Sequence, residues 1–168
     1  MLLFSGISGV FVYSVIQLAP LLPERVATHF GLHGEANGWM TASDHVRFLL
    51  GSGLGLAGLL IALCHILRFL PPRLVNLPDP DYWRLPANFP EACEIVAHWS
   101  WHLGSLQLLF LGILNYVLVA ANQLSPPRLS TAAIVLPMGI FLTGLIVIVW
   151  VLFRTLKRAR AAAASSPT

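Results

Sequence analysis

Residues 48–67 read FLLGSGLGLAGLLIALCHIL, a run of 20 residues without a formal charge, closed by Arg47 on one side and Arg68 on the other. As an α-helix rising 1.5 Å per residue it would be about 30 Å long, the thickness of a bilayer's hydrocarbon core. Three further runs of the same kind flank it: about 2–22, 99–121 and 131–153, the last ending at Arg154. Hydrophobic residues make up 57% of the 168 and charged residues only 10%, where a soluble domain carries about 25% charged. Such a chain would face water with too much apolar surface, so the lipid bilayer is its expected solvent. The expected fold is an all-α integral membrane protein. It has four transmembrane helices, a short extracytoplasmic hairpin loop between the first two, and a proline-rich cytoplasmic loop between the second and third. Residues 1–160 form a single four-span domain and 161–168 a flexible tail.

Charge distribution suggests an orientation. Arg68, Arg73, Arg84, Arg154, Lys157, Arg158 and Arg160 would share one side, leaving Arg25, Arg47 and Arg128 on the other. Lysine and arginine in short loops stay in the cytoplasm. Both termini and the middle loop are therefore expected inside, with 22–45 and 122–131 outside. The first run is longer than the ~7–15 residues of a secretory signal core and has no basic residue before it, so it reads as a retained span. The basic residues at 154–160 read as a stop-transfer anchor able to attract anionic lipid, not as a nucleic-acid site. Cys64 and Cys93 fall at the reducing side and lack C-x-x-C spacing, so neither a disulfide nor a metal motif is expected.

Small residues in the second run invite two readings. Gly51, Gly55, Gly58 and Ala62 lie on one helix face, which permits close backbone approach. Contact within the chain is the preferred reading, and a homodimer seam through Gly51, Gly55 and Gly58 is the alternative. Gly53, Gly55 and Gly58 also fit G-x-G-x-x-G, but no soluble strand precedes them and no acidic ribose partner follows, so a nucleotide site is rejected. Gln107 and Asn115, inside the third run, are expected to hydrogen-bond other helices. Lining a transport path is the alternative. Pro137 and Gly139 should weaken the fourth helix near its outer end.

The outer loop, LLPERVATHFGLHGEANGWMTASDH at 22–45, concentrates polar chemistry. Residues 27–30 alternate as a strand does, Asn37-Gly38 suits a tight hairpin turn, and Thr41 or Ser43 before Asp44 can cap the next helix. Trp39 is expected at the interface. His29, His33, Glu35, Asp44 and His45 are possible zinc ligands, although no strict motif joins them. A second candidate cluster lies at the inner end. Glu94, His98 and His102 recur every fourth residue on one helix face, with His65 on the same side. Interfacial anchoring is the preferred reading, with a metal site or proton relay as the alternative. The loop at 70–94 holds Pro71, Pro72, Pro78, Pro80, Pro86 and Pro90. It is expected as an extended strap along the membrane face, with Tyr82 and Trp83 at the headgroups.

Two segments carry a resemblance. Leu22-Pro23, Thr28-His29-Phe30, Gly34-Glu35 and Gly38-Trp39 resemble the outer-loop signature of a bacterial domain of unknown function. That domain also forms the N-terminal part of SdpI-type toxin-immunity and signalling membrane proteins. Asn76-Leu77-Pro78 with Asp81-Tyr82-Trp83 resembles the proline-rich loop of its shorter members. The resemblance implies a protein of the bacterial cytoplasmic membrane, without enzymatic activity, that senses an exported peptide or envelope protein and signals to a cytoplasmic partner. His29, Phe30, Gly34, Glu35, Gly38 and Trp39 would contact the outer partner, and Tyr82, Trp83 and Arg84 the inner one. The alternatives are a metal-dependent membrane enzyme, using zinc at either histidine cluster, and a small transporter subunit.

Overall fold

The structure is a computed structural model that describes residues 1–31 and 33–165. In chain order it contains α1 (Leu2–Leu18), β1 (Arg25–Phe30), β2 (Ala36–Thr41), α2 (Ala42–Ile66), a single-turn α3 (Pro80–Trp83), α4 (Phe89–Asn122) and α5 (Thr131–Ser165). Four helices are long and apolar enough to cross a membrane: α1 with its short 3-10 extension, α2, α4 and α5. Their outer faces carry large apolar side chains such as Val10, Leu59, Ile113 and Ile146, which a lipid solvent accommodates. This is a multi-pass membrane protein.

α4 is the axis of the bundle. α1, α2 and α5 each pack along it, while α1 and α2 meet over a shorter stretch. The sequence of α4 explains this, since Gly104, Leu108, Asn115, Val119 and Asn122 recur at helical spacing and are all buried. Leu108 joins Phe11 and Val15 of α1 with Leu49 and Ala57 of α2 in one apolar cluster. Without a strong hydrophobic force between helices in lipid, close packing of small residues carries such contacts. On α2 the inward residues are Leu49, Gly53, Ala57 and Ile61, one every fourth position. A Cβ on Gly53 would stand 2.7 Å from the Phe11 ring, so a side chain there must displace that buried ring. Gly53→Leu is therefore expected to force α1 and α2 off α4 at a cost of about 1–3 kcal/mol or more. A fall in thermal unfolding temperature of the detergent-solubilised protein measures it, and an unchanged midpoint would contradict this packing.

This arrangement corrects the preferred reading of the other small-residue stripe. A Cβ on Gly51, Gly55 or Gly58 would meet nothing within 4 Å. These glycines face away from the bundle, because helical spacing turns them off the Gly53–Ala57 face. Among the described residues no other helix packs against this face.

α5 leans on α4. Phe110 and Phe141 stack with centroids 4.5 Å apart, and Leu106 fills the space a Cβ on Gly144 would need. Only 6% of the most apolar window of α5 is buried in the protein, against 28% for α4, so α5 is the helix least held by its neighbours. Pro137 lies inside it.

Several boundaries differ from expectation. α4 begins at Phe89, about a turn and a half into the expected strap, because Pro90 occupies the first turn, where a missing N–H costs nothing. α5 runs on to Ser165 through Lys157, Arg158 and Arg160, since the alanines at 161–164 are strong helix formers. The expected tail is thus helical to 165, and 166–168 lie outside the described residues. Asn37-Gly38 is not the hairpin turn. Both lie in β2, with Gly38 opposite His29. The chain reverses earlier, where Gly31 N–H donates to the Glu35 carbonyl at 2.8 Å and Gly34 takes a φ of +80°. Thr41 caps α2 as expected, its hydroxyl accepting from Asp44 N–H at 3.2 Å and donating to the Asp44 carboxylate at 2.7 Å.

The middle loop departs most from expectation. Instead of an extended strap it is a folded plug of 3-10 turns and α3. Trp83 is fully buried inside the protein, among Val75, Leu77, Phe89, Cys93 and Leu156, and presents no ring to a headgroup layer. The proline-rich stretch folds this way because its prolines sit at first positions of short helical turns, at Pro72 and Pro80, while Val75, Leu77 and Trp83 supply an apolar face. α4 and the far end of α5 provide the other walls.

Candidate functional site: the hairpin platform and its link to the opposite end

β1 is tied to α4 by one side chain. Asn122, the last residue of α4, accepts from Ala27 N–H at 2.7 Å and donates to the Ala27 carbonyl at 2.9 Å. The same amide nitrogen donates to the Leu118 carbonyl at 2.9 Å. Val26 and Ala27 are completely buried beneath the sheet. Below them His45 Nε2 donates to the Asn115 side-chain carbonyl at 2.9 Å, a buried polar contact joining α2 to α4. That role removes His45 from the loop's possible ligand set. Gln107 donates to the Gly53 carbonyl at 3.2 Å. Asn115 and Gln107 thus make the interhelical hydrogen bonds expected of polar residues in lipid.

The loop end of the hairpin is fixed separately. Leu129 N–H donates to the Gly34 carbonyl at 2.9 Å, and Glu35 bridges to Arg128 as an isolated antiparallel pair. The segment between α4 and α5 therefore touches the edge of the two-stranded sheet at a single bridge. Gly34 is obligatory there, because a Cβ would strike the Leu129 carbonyl and φ is positive. Phe30 and Gly31 face Thr131, Ile134 and Val135 of α5 across a cavity of about 220 Å³.

Four polar or aromatic side chains decorate the sheet. Arg25 lies over the Trp39 ring, 5.4 Å from its centroid, and His29 Nδ1 meets the Asn37 side-chain carbonyl in a short hydrogen bond. Gly38 makes room for His29, since a Cβ there would stand 2.7 Å from that of His29. Arg25, His29, Asn37 and Trp39 are exposed, so this side offers an amphipathic surface. His29, Phe30, Gly34, Glu35, Gly38 and Trp39 thus belong to one rigid unit. Within it Gly34, Gly38 and Phe30 shape the hairpin, while His29 and Trp39 present side chains.

The histidine clusters do not assemble as metal sites. Among the described residues no three His, Cys, Asp or Glu side chains converge to hold an ion. At the far end the group divides. His65 and Glu94 line a cavity of about 170 Å³ with Arg68 and Cys93, while His98 and His102 lie with ring centroids 5.2 Å apart and Trp99 4.8 Å from His102. His65 is engaged further by donating Nδ1–H to the Ile61 carbonyl at 2.8 Å. His33 is exposed at the tip of the hairpin.

Tyr82, Trp83 and Arg84 are split in role by the plug. Trp83 is its core and presents nothing outward. Tyr82 packs edge-on against Trp83 with centroids 4.9 Å apart and carries the Arg160 guanidinium 5.5 Å over its face. Arg84 donates to the Val75 carbonyl at 3.4 Å. Arg160 also pairs with Asp79 at 3.0 Å, and Leu156 is buried against the plug. Sequence reading placed Asn115 in an interhelical hydrogen bond but missed His45 as its partner, and missed Asn122 and Arg160 as groups that join the elements. An asparagine at a helix end was a legible signal, but nothing named its partner across 95 positions.

A multi-helix membrane protein with a structured β-hairpin docked at one end is the class these features define. Residues 7–44 match a family described as a domain of unknown function (DUF1648). The matched segment covers most of α1, the whole hairpin and the cap of α2, the part whose motifs carried the resemblance to such a domain. No curated protein and no solved structure matches the chain.

Proposed function

We propose that the protein is a non-enzymatic sensor or immunity-type signalling protein of the bacterial cytoplasmic membrane, similar in logic to SdpI-type proteins. Its hairpin faces outward to recognise a peptide or envelope protein, and both termini and the plug lie in the cytoplasm. The observation that carries this reading is the placement of α5. One end of α5 meets the hairpin through Thr131, and through Arg128 and Leu129 of the connector just before it. Its other end walls the plug through Leu156 and Arg160. Between Thr131 and Arg160 the helix spans about 44 Å at 1.5 Å per residue and leans mainly on α4. A rigid element with contacts at both ends and few along its length is suited to carry a shift from one side to the other. The exposed face of Gly51, Gly55 and Gly58 would suit a second copy of the chain. Among the described residues neither histidine group gathers three ligands, which favours recognition over a zinc enzyme.

The reading requires that hairpin and plug share one equilibrium. Gly34→Ala disrupts the hairpin's seat on Leu129 through both φ and collision, at about 1–3 kcal/mol. Hydrogen exchange of the full chain in nanodiscs is expected to lose protection at 128–135 and, at the opposite end, at 75–84. Loss confined to 128–135 would mean the two ends are independent and would overturn the sensor reading.

A further inference from the structure

Three cavities lie in succession along α4 toward the hairpin end, neighbours sharing lining residues, and together outline a trough. The first, about 280 Å³, lies between α1 and α4 and is walled by Ile7, Val10 and Leu18 on one side and Leu109, Ile113 and Tyr116 on the other. It is apolar throughout, since its one aliphatic hydroxyl, Ser14, is already bonded to the Phe11 carbonyl at 2.8 Å. The second, about 250 Å³, continues from Tyr116 past Leu124 to Arg128 and Ser130. The third, about 370 Å³, shares Leu124, Arg128 and Ser130 and adds His33 and Thr131. Measured along α4 from Leu108 to Asn122, the trough runs about 21 Å. One leaflet of the hydrocarbon core is about 15 Å deep. The trough therefore begins inside a leaflet and ends in its headgroup layer.

Its chemistry changes along that path. The deep part is hydrocarbon-like. Tyr116, exposed at the junction, has the ring-and-hydroxyl character favoured at the lipid interface. The shallow end is lined by Arg128, Ser130 and Thr131, with the Ser130 hydroxyl accepting from Ala133 N–H at 3.3 Å. Among the described residues Arg128 enters no ion pair, the two present being Asp44–Arg47 and Asp79–Arg160. Glu35 is its backbone bridge partner, but the Glu35 carboxylate folds over Gly31, where it occupies the space a Cβ would take. The cation is thus left for an external anion. An apolar partner helix would fill the cleft but leave Arg128 unmatched in the headgroup layer. A molecule with a long apolar chain and one anionic head matches both ends.

We propose that this trough binds one anionic phospholipid, its acyl chain between α1 and α4 and its phosphate at Arg128. Lipid bound there would rest on α1, on α4 and on the connector that seats Gly34, so it would steady the hairpin's foundation. The site stands independently of what the hairpin recognises.

Native mass spectrometry of the full chain tests it, after exchange into vesicles of equimolar phosphatidylglycerol and phosphatidylethanolamine and extraction in mild detergent. Wild type is expected to retain one phosphatidylglycerol per chain in preference to phosphatidylethanolamine. Arg128→Gln should lower that preference about fivefold, the contribution of one basic group at a membrane surface. Arg128→Lys should keep it. Ile113→Trp should fill the deep cleft and reduce retention of both lipids; if that variant does not fold by its melting curve, Leu109→Phe takes its place. Equal retention of the two lipids by wild type overturns the proposal. So does a phosphatidylglycerol preference unmoved by Arg128→Gln, or a second polypeptide, this chain or another, retained in place of lipid and lost with Ile113→Trp.

Discussion

Trp83→Ala is expected to dissolve the plug while leaving the four spans in place. Trp83 is the largest side chain with no exposure, and removing a buried tryptophan costs about 3–5 kcal/mol. Its neighbours come from three separate parts of the chain: Val75 and Leu77 from the loop, Phe89 and Cys93 from α4, and Leu156 from α5. None can move into the space without leaving another wall. Cys93 gives a direct readout, because it is buried in this cluster while Cys64 lies outside it in α2. In a Cys64→Ser background, maleimide labelling of Cys93 proceeds through opening of the plug. If about 3 kcal/mol is lost, labelling should accelerate roughly a hundredfold. Trp83→Phe is the informative companion. The indole N–H meets no acceptor among the described residues, and a buried unpaired donor costs about 1–3 kcal/mol. Phenylalanine removes that donor along with part of the ring, so the two effects oppose and labelling should stay near the wild-type rate. Slow labelling of the alanine variant would mean that the plug is held by its backbone and by Arg160 rather than by this core.

The parts of this fold that were legible in advance are those governed by a single local rule. A charge-free run between Arg47 and Arg68 can only be a span, and Thr41 before Asp44 is a helix cap in any surroundings. Long-range choices were not legible. Two small-residue stripes share α2, and their spacing alone cannot say whether Gly53 or Gly55 faces α4; the Phe11 ring decides it from another helix. Asn37-Gly38 has the composition of a tight turn, yet Gly38 is needed for the crowding of His29 opposite. Pro90 reads as a breaker until its position in the first turn of α4 is known. Trp83 carries an amphipathic ring suited to lipid interfaces, and what buries it is Leu156, 73 positions away. The histidines were the weakest guide, because regular spacing on α4 put Glu94, His98 and His102 on one face without giving them a common centre. Asn122 was hardest to foresee, since its value lies in one backbone amide of a strand far back in the chain.

Asn122→Ala should therefore have a large effect confined to the hairpin end. Ala27 is fully buried, and both its N–H and its carbonyl depend on the Asn122 side chain. Truncation leaves a buried donor and a buried acceptor unpaired at about 1–3 kcal/mol each, so the seat of the hairpin weakens by roughly 2–6 kcal/mol. The Leu129–Gly34 bond and the Arg25–Trp39 contact remain, but neither holds β1 down onto α4. The sheet is expected to lift, and protease cleavage within 25–41 should rise while the α2–α4 contact through His45 and Asn115 persists. Asn122→Asp separates lost hydrogen bonds from lost volume. A carboxylate can still accept from Ala27 N–H, but it would confront the Ala27 and Leu118 carbonyls, both of which now accept from the amide nitrogen. Aspartate should thus be no better than alanine despite its matching shape. Protection of the hairpin by aspartate would assign the clamp to the single Ala27 N–H bond. Cleavage unchanged in both variants would place the hairpin's anchor at Leu129 instead, with Gly34 as the residue on which the whole platform turns.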